Sequence, residues 1–347
     1  MKAWVLHGIG DLRFETVREP VLKDGEVLVE VKAAGICGSD IPRIYQNGAY
    51  RHPLIPGHEF SGVVAEAKDA GNEDWIGRRV GVFPLIPCRE CAPCRKSQYE
   101  MCRNYSYLGS RRDGGFAGYA AVPVRNLTEL PAGMAFTEAA MLEPMAVAVH
   151  AMRRIGVSAG DKTAICGAGT IGLLLFLFLR EAGVRNIYVF GNKDFQKRTL
   201  MGLGLEEDFY CDVRKGGMDQ WLMDRTNGVG VDVFFECVGR NETLVQAVNQ
   251  TSFGGKIMLV GNPSGDMGLE ESVYWKIPRN QLTVKGSWNS TFTEEESDDW
   301  HYVLTRIKEK RIDPSQLVTH QLPMEALEQG FHIMRDKTED YIKIIGE

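Results

Sequence analysis

Five of the eight cysteines in this chain lie in two settings that suit metal ions. Four of them are clustered, at Cys88, Cys91, Cys94 and Cys102. The fifth, Cys37, stands alone in a Gly-Ile-Cys-Gly-Ser-Asp segment, upstream of a Gly-His-Glu segment. Clustered thiolates are typical of a closed structural zinc site, whereas a catalytic site keeps one position open. The spacing therefore predicts two metal sites of different character.

The cysteine cluster has a spacing that both zinc and iron–sulfur centres use. Ferredoxin-type runs carry a proline after the last cysteine, whereas Arg103 follows Cys102 here. Pro87 and Pro93 stiffen the loop, which suits the wrapping of a single ion. We expect a zinc ion held by four thiolates, with no position left for a substrate. Four unrelated buried cysteines are the alternative, which their density disfavours.

The open site is predicted from Cys37, His58 and Glu59, which supply sulfur, nitrogen and oxygen donors. Zinc accepts all three, and a catalytic zinc needs three protein ligands. Glu143, in a Leu-Glu-Pro segment, is a further candidate carboxylate. Either Glu59 or Glu143 is expected to bind the zinc ion directly, while the other supports the site without contacting the ion. The sequence leaves that choice open. Each residue alone also has an ordinary structural interpretation, so the prediction depends on their combination.

A glycine-rich turn predicts a dinucleotide site. It follows a predicted strand and opens a predicted helix, which is the context that gives a GxGxxG pattern its meaning. The first glycine allows the tight turn, the second lets a pyrophosphate approach the backbone, and the third lets the helix pack on the sheet. The residues of the turn are Gly167, Ala168, Gly169, Thr170, Ile171 and Gly172.

The end of the next strand predicts a preference for NADP(H) over NAD(H). An acid usually binds the ribose 2′-hydroxyl of NAD at this position, but the strand ends on Gly191. Glycine removes the repulsion of a 2′-phosphate, and Asn192, Lys193 and Arg198 follow within reach of one. Asp194 is the alternative NAD-binding acid if the strand ends later than expected.

Short β-type runs position the metal-binding residues. Turn signals separate these runs, which predicts a β-rich, barrel-like first domain. The runs lie at 27–31, 62–66 and 79–83. A helix near 300–310 and a last strand near 341–345 are expected to rejoin this domain.

The glycine turn lies in a second region, where strands alternate with helical stretches. Such alternation predicts a parallel sheet covered on both faces, as in the doubly wound α/β fold. The strands are predicted at 162–166, 186–190, 231–235 and 256–260. The expected domains are therefore residues 1–150 with 287–347, and residues 151–286.

Composition excludes several classes of function. A formal charge of -6 argues against nucleic-acid binding, which needs a basic surface. The N-terminus has no apolar signal-peptide core, and the most apolar run, residues 173–179, is far shorter than a membrane span. We expect a cytoplasmic protein, in which clustered cysteines bind metal rather than form disulfides.

These motifs, in this order, resemble the zinc-dependent medium-chain dehydrogenase/reductase family over essentially the whole chain. The resemblance implies a GroES-like catalytic domain, a Rossmann domain, two zinc ions per chain, NAD(P), and a homodimer or homotetramer. Glu143 stands where alcohol dehydrogenases carry a second cysteine ligand, as in the polyol branch that includes sorbitol and threonine dehydrogenases. Segments 37–49, 109–116 and 285–288 are similar to the polyol-phosphate members of that branch, which carry an acid in place of Gly191.

The resemblance implies reversible oxidation of a secondary alcohol to a ketone, with zinc acidifying the substrate hydroxyl and NAD(P) accepting the hydride. Asp40 is expected to accept a hydrogen bond from His58 and fix its tautomer. Ser39 is a candidate to pass the proton on. Many relatives use a relay histidine where this chain has Pro42, so a water ordered by Glu59 or Glu143 is the alternative route.

Three arginines are candidates to bind a phosphate on the substrate: Arg43, Arg111 and Arg112. A guanidinium matches phosphate oxygens with two parallel hydrogen bonds. A solvated surface pair is the ordinary alternative for Arg111 and Arg112. Three other functions stay open: oxidation of a free polyol such as sorbitol or xylitol, oxidation of threonine, and redox sensing by an NADP(H)-binding protein without turnover.

Overall fold

The computed structural model describes residues 1–347, which cluster into two compact units. Unit 1 comprises Met1–Ala146 and Ser290–Glu347, and unit 2 comprises Val147–Asn289. No helix combines the length and hydrophobicity that a bilayer span requires. The strands are β1 (Lys2–Gly8), β2 (Asp11–Thr16), β3 (Glu26–Gly35), β4 (Glu59–Ala67), β5 (Arg79–Val82), β6 (Leu85–Ile86), β7 (Ser106–Tyr107), β8 (Tyr119–Pro123), β9 (Leu127–Glu129), β10 (Lys162–Cys166), β11 (Asn186–Gly191), β12 (Tyr210–Asp212), β13 (Val231–Glu236), β14 (Thr251–Leu259), β15 (Thr283–Gly286), β16 (Val318–Leu322) and β17 (Lys343–Gly346).

The helices connect these strands and cover the sheet of unit 2. They are α1 (Asp40–Pro42), α2 (Phe136–Ala140), α3 (Leu142–Ile155), α4 (Thr170–Glu181), α5 (Asp194–Gly202), α6 (Met218–Arg225), α7 (Asn241–Gln250), α8 (Glu271–Tyr274), α9 (Lys276–Arg279), α10 (Asp299–Lys308) and α11 (Leu327–Asp336).

Unit 1 is built on a mostly antiparallel sheet. Its order is β16-β17-β3-β4-β5-β9, and β8 also pairs with β3. Strand β3 lies in the middle of this sheet, and most of its residues are apolar and buried. The sheet, the β1–β2 hairpin and α11 share one core, in which Trp4 and Phe116 pack on Phe331. The predicted β-rich first domain is confirmed.

Unit 2 has a six-stranded sheet in the order β12-β11-β10-β13-β14-β15, and all its pairs are parallel. This is the strand order of two mononucleotide-binding halves. Phe190, Phe234 and Trp221 lie in the core on one face. The predicted doubly wound fold is confirmed, and the sheet places the glycine turn at the carboxyl end of its central strand β10.

Two boundaries differ slightly from the sequence-based expectation. The last strand begins at Lys343 rather than near residue 341, because the Ile342 N–H donates to Thr319 Oγ1 instead of joining the ladder. Helix α10 begins at Asp299, where Asp298 caps it by accepting from the His301 N–H. It ends at Lys308, and Lys310 beyond it has a left-handed φ of 57°.

Candidate metal centres and dinucleotide site

The cysteine loop connects β6 to β7 and brings its four sulfurs together. The Sγ–Sγ distances are 3.5 Å for Cys91–Cys94, 3.9 Å for Cys91–Cys102 and 4.0 Å for Cys88–Cys94. A zinc ion with four Zn–S bonds of about 2.3 Å in a tetrahedron requires sulfurs about 3.8 Å apart. All four are free thiols at these distances, and the arrangement fits zinc.

Backbone hydrogen bonds in this loop favour the ionised form of one cysteine, Cys91. Backbone N–H groups of Arg103 and Cys94 lower the pKa of Cys91 to about 6. Burial acts in the opposite direction on Cys94 and raises its pKa to about 12. A cation is the partner that lets all four sulfurs ionise in one place.

The second centre forms where β3 ends beside the start of β4. Gly35 pairs with Glu59 across this antiparallel ladder, so Cys37, just after β3, meets His58, just before β4. One ligand atom each of Cys37, His58 and Glu59 lies within 4.8 Å of the others. Gly35 is required here, because a Cβ on it would lie 2.6 Å from Glu59 Oε2.

This second centre fits a zinc ion by two observations. Its donors are one sulfur, one imidazole and one carboxylate, all of which zinc accepts. His58 Nδ1 is buried and has no hydrogen-bond partner. Burial would lower the pKa of His58, but the acidic groups of Asp40 and Cys37 raise it well above its usual value. The acidic groups around His58 therefore favour a positive charge at this position.

Lys343 is a buried member of this centre that sequence reasoning missed. Its Nζ donates to Glu59 Oε2 at 2.5 Å and to the Ile36 carbonyl at 3.1 Å. Burial would lower the pKa of Lys343, but Glu59 and the Cys37 thiol group raise it, so the ammonium stays charged. The available signal was a lone lysine in the apolar last strand, which pairs with β3.

Glu143 lies near the centre but outside the group of three. It sits in the first turn of α3, and Tyr107 Oη donates to its Oε1 at 3.2 Å. The Tyr107 ring also packs on the edge of His58, with centroids 5.8 Å apart. Burial, together with the neighbouring charge of Glu59, raises the pKa of Glu143 to about 7. Tyr107 was not identified from the sequence.

Asp40 and Ser39 support Cys37. Asp40 Oδ2 accepts from the Cys37 N–H at 3.0 Å, and Ser39 Oγ donates to Cys37 Sγ at 3.3 Å. The expected hydrogen bond between His58 and Asp40 is not made, because His58 Nδ1 lies 3.6 Å from Asp40 Oδ1. Arg43 donates to that oxygen instead, at 2.6 Å. Burial would raise the pKa of Asp40, but His58 and Arg43 hold it below its usual value.

The glycine turn has the geometry of a phosphate-binding turn. Gly167 has a φ of 105°, which L-residues rarely adopt. A Cβ on Gly172 would lie 1.9 Å from the Gly167 carbonyl oxygen, so the turn and α4 pack without room for a side chain. A Cβ on Gly169 would meet nothing within 4 Å, and no side chain caps α4 there. The helix N-terminus therefore faces open space, as a pyrophosphate requires.

The end of β11 lacks a free acid at the position expected to contact the ribose. A Cβ on Gly191 would lie 2.5 Å from Tyr210 Oη. Asp194, the alternative acid, forms an ion pair with Arg214, which also pairs with Asp212. Arg214 was not identified from the sequence.

The three candidate phosphate-binding arginines lie in different places. Arg43 is committed to Asp40 beside the Cys37 centre. Arg112 pairs with the buried Glu26, and the Arg111 guanidinium lies over the ring of Tyr105, 4.5 Å from its centroid. Arg111 and Arg112 line a cavity whose wall includes neither Cys37 nor His58.

Comparison with known proteins agrees with these features. Residues 23–132 match the alcohol dehydrogenase GroES-like domain, and residues 170–309 match the zinc-binding dehydrogenase domain. The chain belongs to the zinc-dependent medium-chain dehydrogenase family. Zinc and NAD(P) are typical of this family.

Relatives in the zinc-dependent medium-chain dehydrogenase family include sugar-alcohol enzymes. Galactitol 1-phosphate 5-dehydrogenase of Escherichia coli (strain K12) is 31% identical over 319 residues, 91% of each chain. L-idonate 5-dehydrogenase of Vitis vinifera is 31% identical over 328 residues, 92% of this chain and 87% of that relative. L-threonine 3-dehydrogenase of Bacillus velezensis is 30% identical over 91% of this chain and 90% of that relative.

Solved structures of the family share the fold over their full length. Galactitol-1-phosphate dehydrogenase from Escherichia coli superposes with a TM-score of 0.91 at 29% identity, covering 100% of this chain and 99% of that one. A zinc-binding dehydrogenase from Sinorhizobium meliloti 1021, bound to NADP, has a TM-score of 0.90 at 26% identity, covering 99% and 98%. The predicted family and fold are confirmed.

Proposed function

We propose that the chain reversibly oxidises a secondary alcohol of a polyol phosphate, galactitol-1-phosphate-like, with NADP+ as the hydride acceptor. The observation that carries the catalytic part is the convergence of Cys37, His58 and Glu59 within 4.8 Å, beside a buried Glu143. A binding protein without turnover has no use for such an open mixed-donor site. The test is a turnover screen with polyols, polyol phosphates and threonine, using both nicotinamide cofactors. Absence of turnover with every substrate class would favour the sensor alternative.

Each residue of the catalytic centre has a proposed role. Cys37, His58 and a carboxylate hold a zinc ion, which acidifies a bound hydroxyl and polarises a carbonyl. Ser39 Oγ donates to the Cys37 sulfur and moderates its charge. Lys343 fixes one oxygen of Glu59, which leaves the other oxygen to face the ion. We propose Glu59 as the third ligand.

Glu143 is proposed to accept the proton that the substrate loses. Burial raises the pKa of Glu143 to about 7 in the metal-free centre, and a bound zinc ion would favour the carboxylate, the form that accepts a proton. Tyr107 orients it through the hydrogen bond to Oε1. This route replaces the histidine relay, because Pro42 cannot carry a proton. Asp40 is proposed to position Cys37 by accepting a hydrogen bond from its backbone N–H.

The four-cysteine loop is proposed to hold a second, structural zinc ion. Its ligands come from one stretch of chain, and the closed tetrahedron leaves no position for a substrate. The protein therefore binds two zinc ions per chain, with different roles.

The cofactor preference is proposed to be NADP(H). The end of β11 carries glycine in place of an acid at Gly191, and Asp194 is paired with Arg214. Lys193 and the exposed Arg198 are the cations that would meet a 2′-phosphate. The test is the ratio of kcat/KM for NADP+ and NAD+ in the native enzyme and in Arg198→Ala. We expect a ratio above one that falls in the variant, and a clear preference for NAD+ would contradict the proposal.

The substrate phosphate is proposed to meet Arg111. Tyr105 holds its guanidinium, and the ring of Tyr105 packs on Tyr107, which contacts His58 and Glu143. The name of the Escherichia coli relative supports a phosphorylated substrate. Arg111→Ala should raise KM for a polyol phosphate but not for the free polyol. Equal effects on both would favour a free polyol as the natural substrate.

A homodimer or homotetramer is proposed from the edge of the unit 2 sheet. Strand β15 is the last in its sheet, and all four of its residues are exposed. Such an edge is a template for pairing with another chain. Tyr274 and Trp275 add exposed aromatic surface to the same unit. Light scattering should give a mass that is two or four times the 38.7 kDa of one chain, and a mass equal to one chain would contradict the proposal.

A further inference from the structure

A cavity of about 710 Å³ opens in unit 1, and Arg111 is the one residue of its lining that has a proposed role in the reaction. Its wall combines the β1–β2 hairpin, the segment that follows β2, residues 51–55 and β8. None of Cys37, His58, Glu59 and Glu143 lines it. Its volume lies within the range of small-molecule sites, roughly 300–1,000 Å³.

The charged side chains of this cavity are nearly all cationic. Five cations and one acid line it, in a chain whose net charge is -6. A concave, positively charged surface concentrates anions. These residues are Arg18, Lys23, Arg51, Arg111, Arg112 and Asp113.

Carboxylates neutralise only two of the five cations. Arg51 pairs with Asp113 at 2.6 Å, and Arg112 pairs with Glu26. Arg111 is clamped between two aromatic rings, 4.2 Å from the Tyr50 centroid and 4.5 Å from the Tyr105 centroid. Ring stacking orients a guanidinium but leaves its charge available.

The other two cations, Arg18 and Lys23, are exposed and form no ion pair. They lie on the segment between β2 and β3, across from the arginines of the 111–112 turn. Three positive charges therefore face one cavity without a compensating acid.

The floor of the cavity is apolar. Val5, Leu54 and Ala120 line it and are 4%, 1% and 3% exposed. Val21, also in the lining, is 88% exposed. An inorganic ion would leave this apolar surface wet, whereas an organic group would cover it.

We infer that this cavity is a binding site for a small phosphate monoester with an apolar body, separate from the catalytic centre. The phosphate would be bound by Arg18 and Lys23, since a guanidinium matches phosphate oxygens and an ammonium adds a second positive charge. The apolar body would lie against Val21 and the half-buried Val17. This inference does not depend on the identity of the alcohol substrate, because it rests on Arg18 and Lys23, to which the proposed reaction gives no role.

The test uses the zinc-loaded protein saturated with NADP+, so that the dinucleotide site is filled. Phenyl phosphate is the probe, and inorganic phosphate is the comparison, with binding measured by calorimetry. We expect one saturable site for phenyl phosphate and weaker binding of inorganic phosphate. The Arg18→Ala/Lys23→Ala variant should bind phenyl phosphate about tenfold more weakly, as the loss of two exposed charge contacts predicts.

The matched control removes two exposed cations of unit 1 outside the cavity, as Lys68→Ala/Lys308→Ala, and it should bind normally. A second variant, Val21→Glu, adds an acid at an exposed position and should weaken binding without removing a cation. Unchanged binding in the Arg18/Lys23 variant, or equal affinity for both probes, would overturn the inference. So would a raised KM for a polyol phosphate in that variant, since the cavity would then belong to the substrate site.

Discussion

The two cysteine-bearing centres of unit 1 are assembled in opposite ways. The four-cysteine loop draws all its ligands from residues 88–102, and the group that converges there consists of sulfur donors. The Cys37 centre draws on the β3–β4 ladder, the start of α3 and the last strand, so its members span residues 37 to 343. The first is a local closure, and the second exists only when the whole unit has folded.

The two centres also differ in the charged groups that surround them. The loop offers sulfur alone, and its backbone N–H groups stabilise the thiolates. The Cys37 centre is lined by buried acids and a buried lysine, whose charges balance through Glu59 and Lys343. A closed site needs only to hold its ion, whereas an open site must also hold charge ready for a substrate.

The largest expected effect is on stability, at the closed site. Replacing Cys94 with Ser removes one of four ligands, so the loop should lose its ion and the melting temperature should fall by about 10 °C or more, since structural zinc binding contributes directly to folding. Thermal unfolding followed by circular dichroism measures this. Cys166→Ala, a buried thiol of unit 2, is the control and should shift the melting temperature far less. Equal shifts would show that the loop holds no structural ion.

The second effect is the loss of stability when the buried ion pair of the Cys37 centre is broken. Lys343→Met leaves Glu59 buried without its partner, which should cost about 3–5 kcal/mol of unfolding free energy. The double variant Lys343→Met/Glu59→Gln should recover part of that loss, because the unpaired charge is removed. Urea unfolding of the two single variants and the double variant measures the coupling. Strict additivity would contradict the ion pair between β17 and β4.

The third effect separates the two acids of the open centre. Glu59→Gln should weaken zinc binding at the Cys37 centre about 10–100-fold or more, as the loss of a supporting or direct ligand does. Glu143→Gln should keep that zinc and lose turnover instead, because it removes the proposed proton acceptor. Zinc competition with a chelator and steady-state kinetics measure the two readouts. If Glu143→Gln loses the zinc and Glu59→Gln keeps it, the assignments must be exchanged.

The smallest effect is a change in pH dependence. The pKa of Glu143 is raised to about 7, so this carboxyl is protonated below that pH and becomes a proton acceptor as the pH rises through it. Turnover in the oxidation direction should therefore rise with pH, and a bound zinc ion, which favours the carboxylate, would move this rise below about pH 7. Glu143→Gln should flatten this limb of the pH profile of kcat. A variant profile that keeps the same low-pH limb as the native profile would contradict the proposed acceptor.

Much of this molecule is readable from its sequence because the signals are local. The spacing of Cys88 to Cys102 contains a complete ligand set, and the turn at Gly167 contains its own strand–glycine–helix context. The sequence also predicted Cys37 and His58 as candidate ligands, since each lies in a short motif with a typical composition.

The parts that the sequence did not show depend on contacts between distant segments. Lys343 meets Glu59 across 284 positions, because β17 lies beside β3 in the sheet. Tyr107 and Arg214 likewise acquire their roles only from neighbours in space. The contact predicted between His58 and Asp40 also joins distant segments: His58 Nδ1 lies 3.6 Å from Asp40 Oδ1, and Arg43 donates to the same oxygen.

The most direct test of the division between the two centres is the zinc content and turnover of Cys37→Ser. The native chain should hold two zinc ions. The variant should hold one zinc ion and keep its circular dichroism spectrum and melting temperature. Its turnover should fall about 100-fold or more, because removing a direct zinc ligand should cost more than removing a residue that only supports a ligand. A variant that keeps two zinc ions, or that still turns over at the native rate, would contradict the assignment of catalysis to the Cys37 centre.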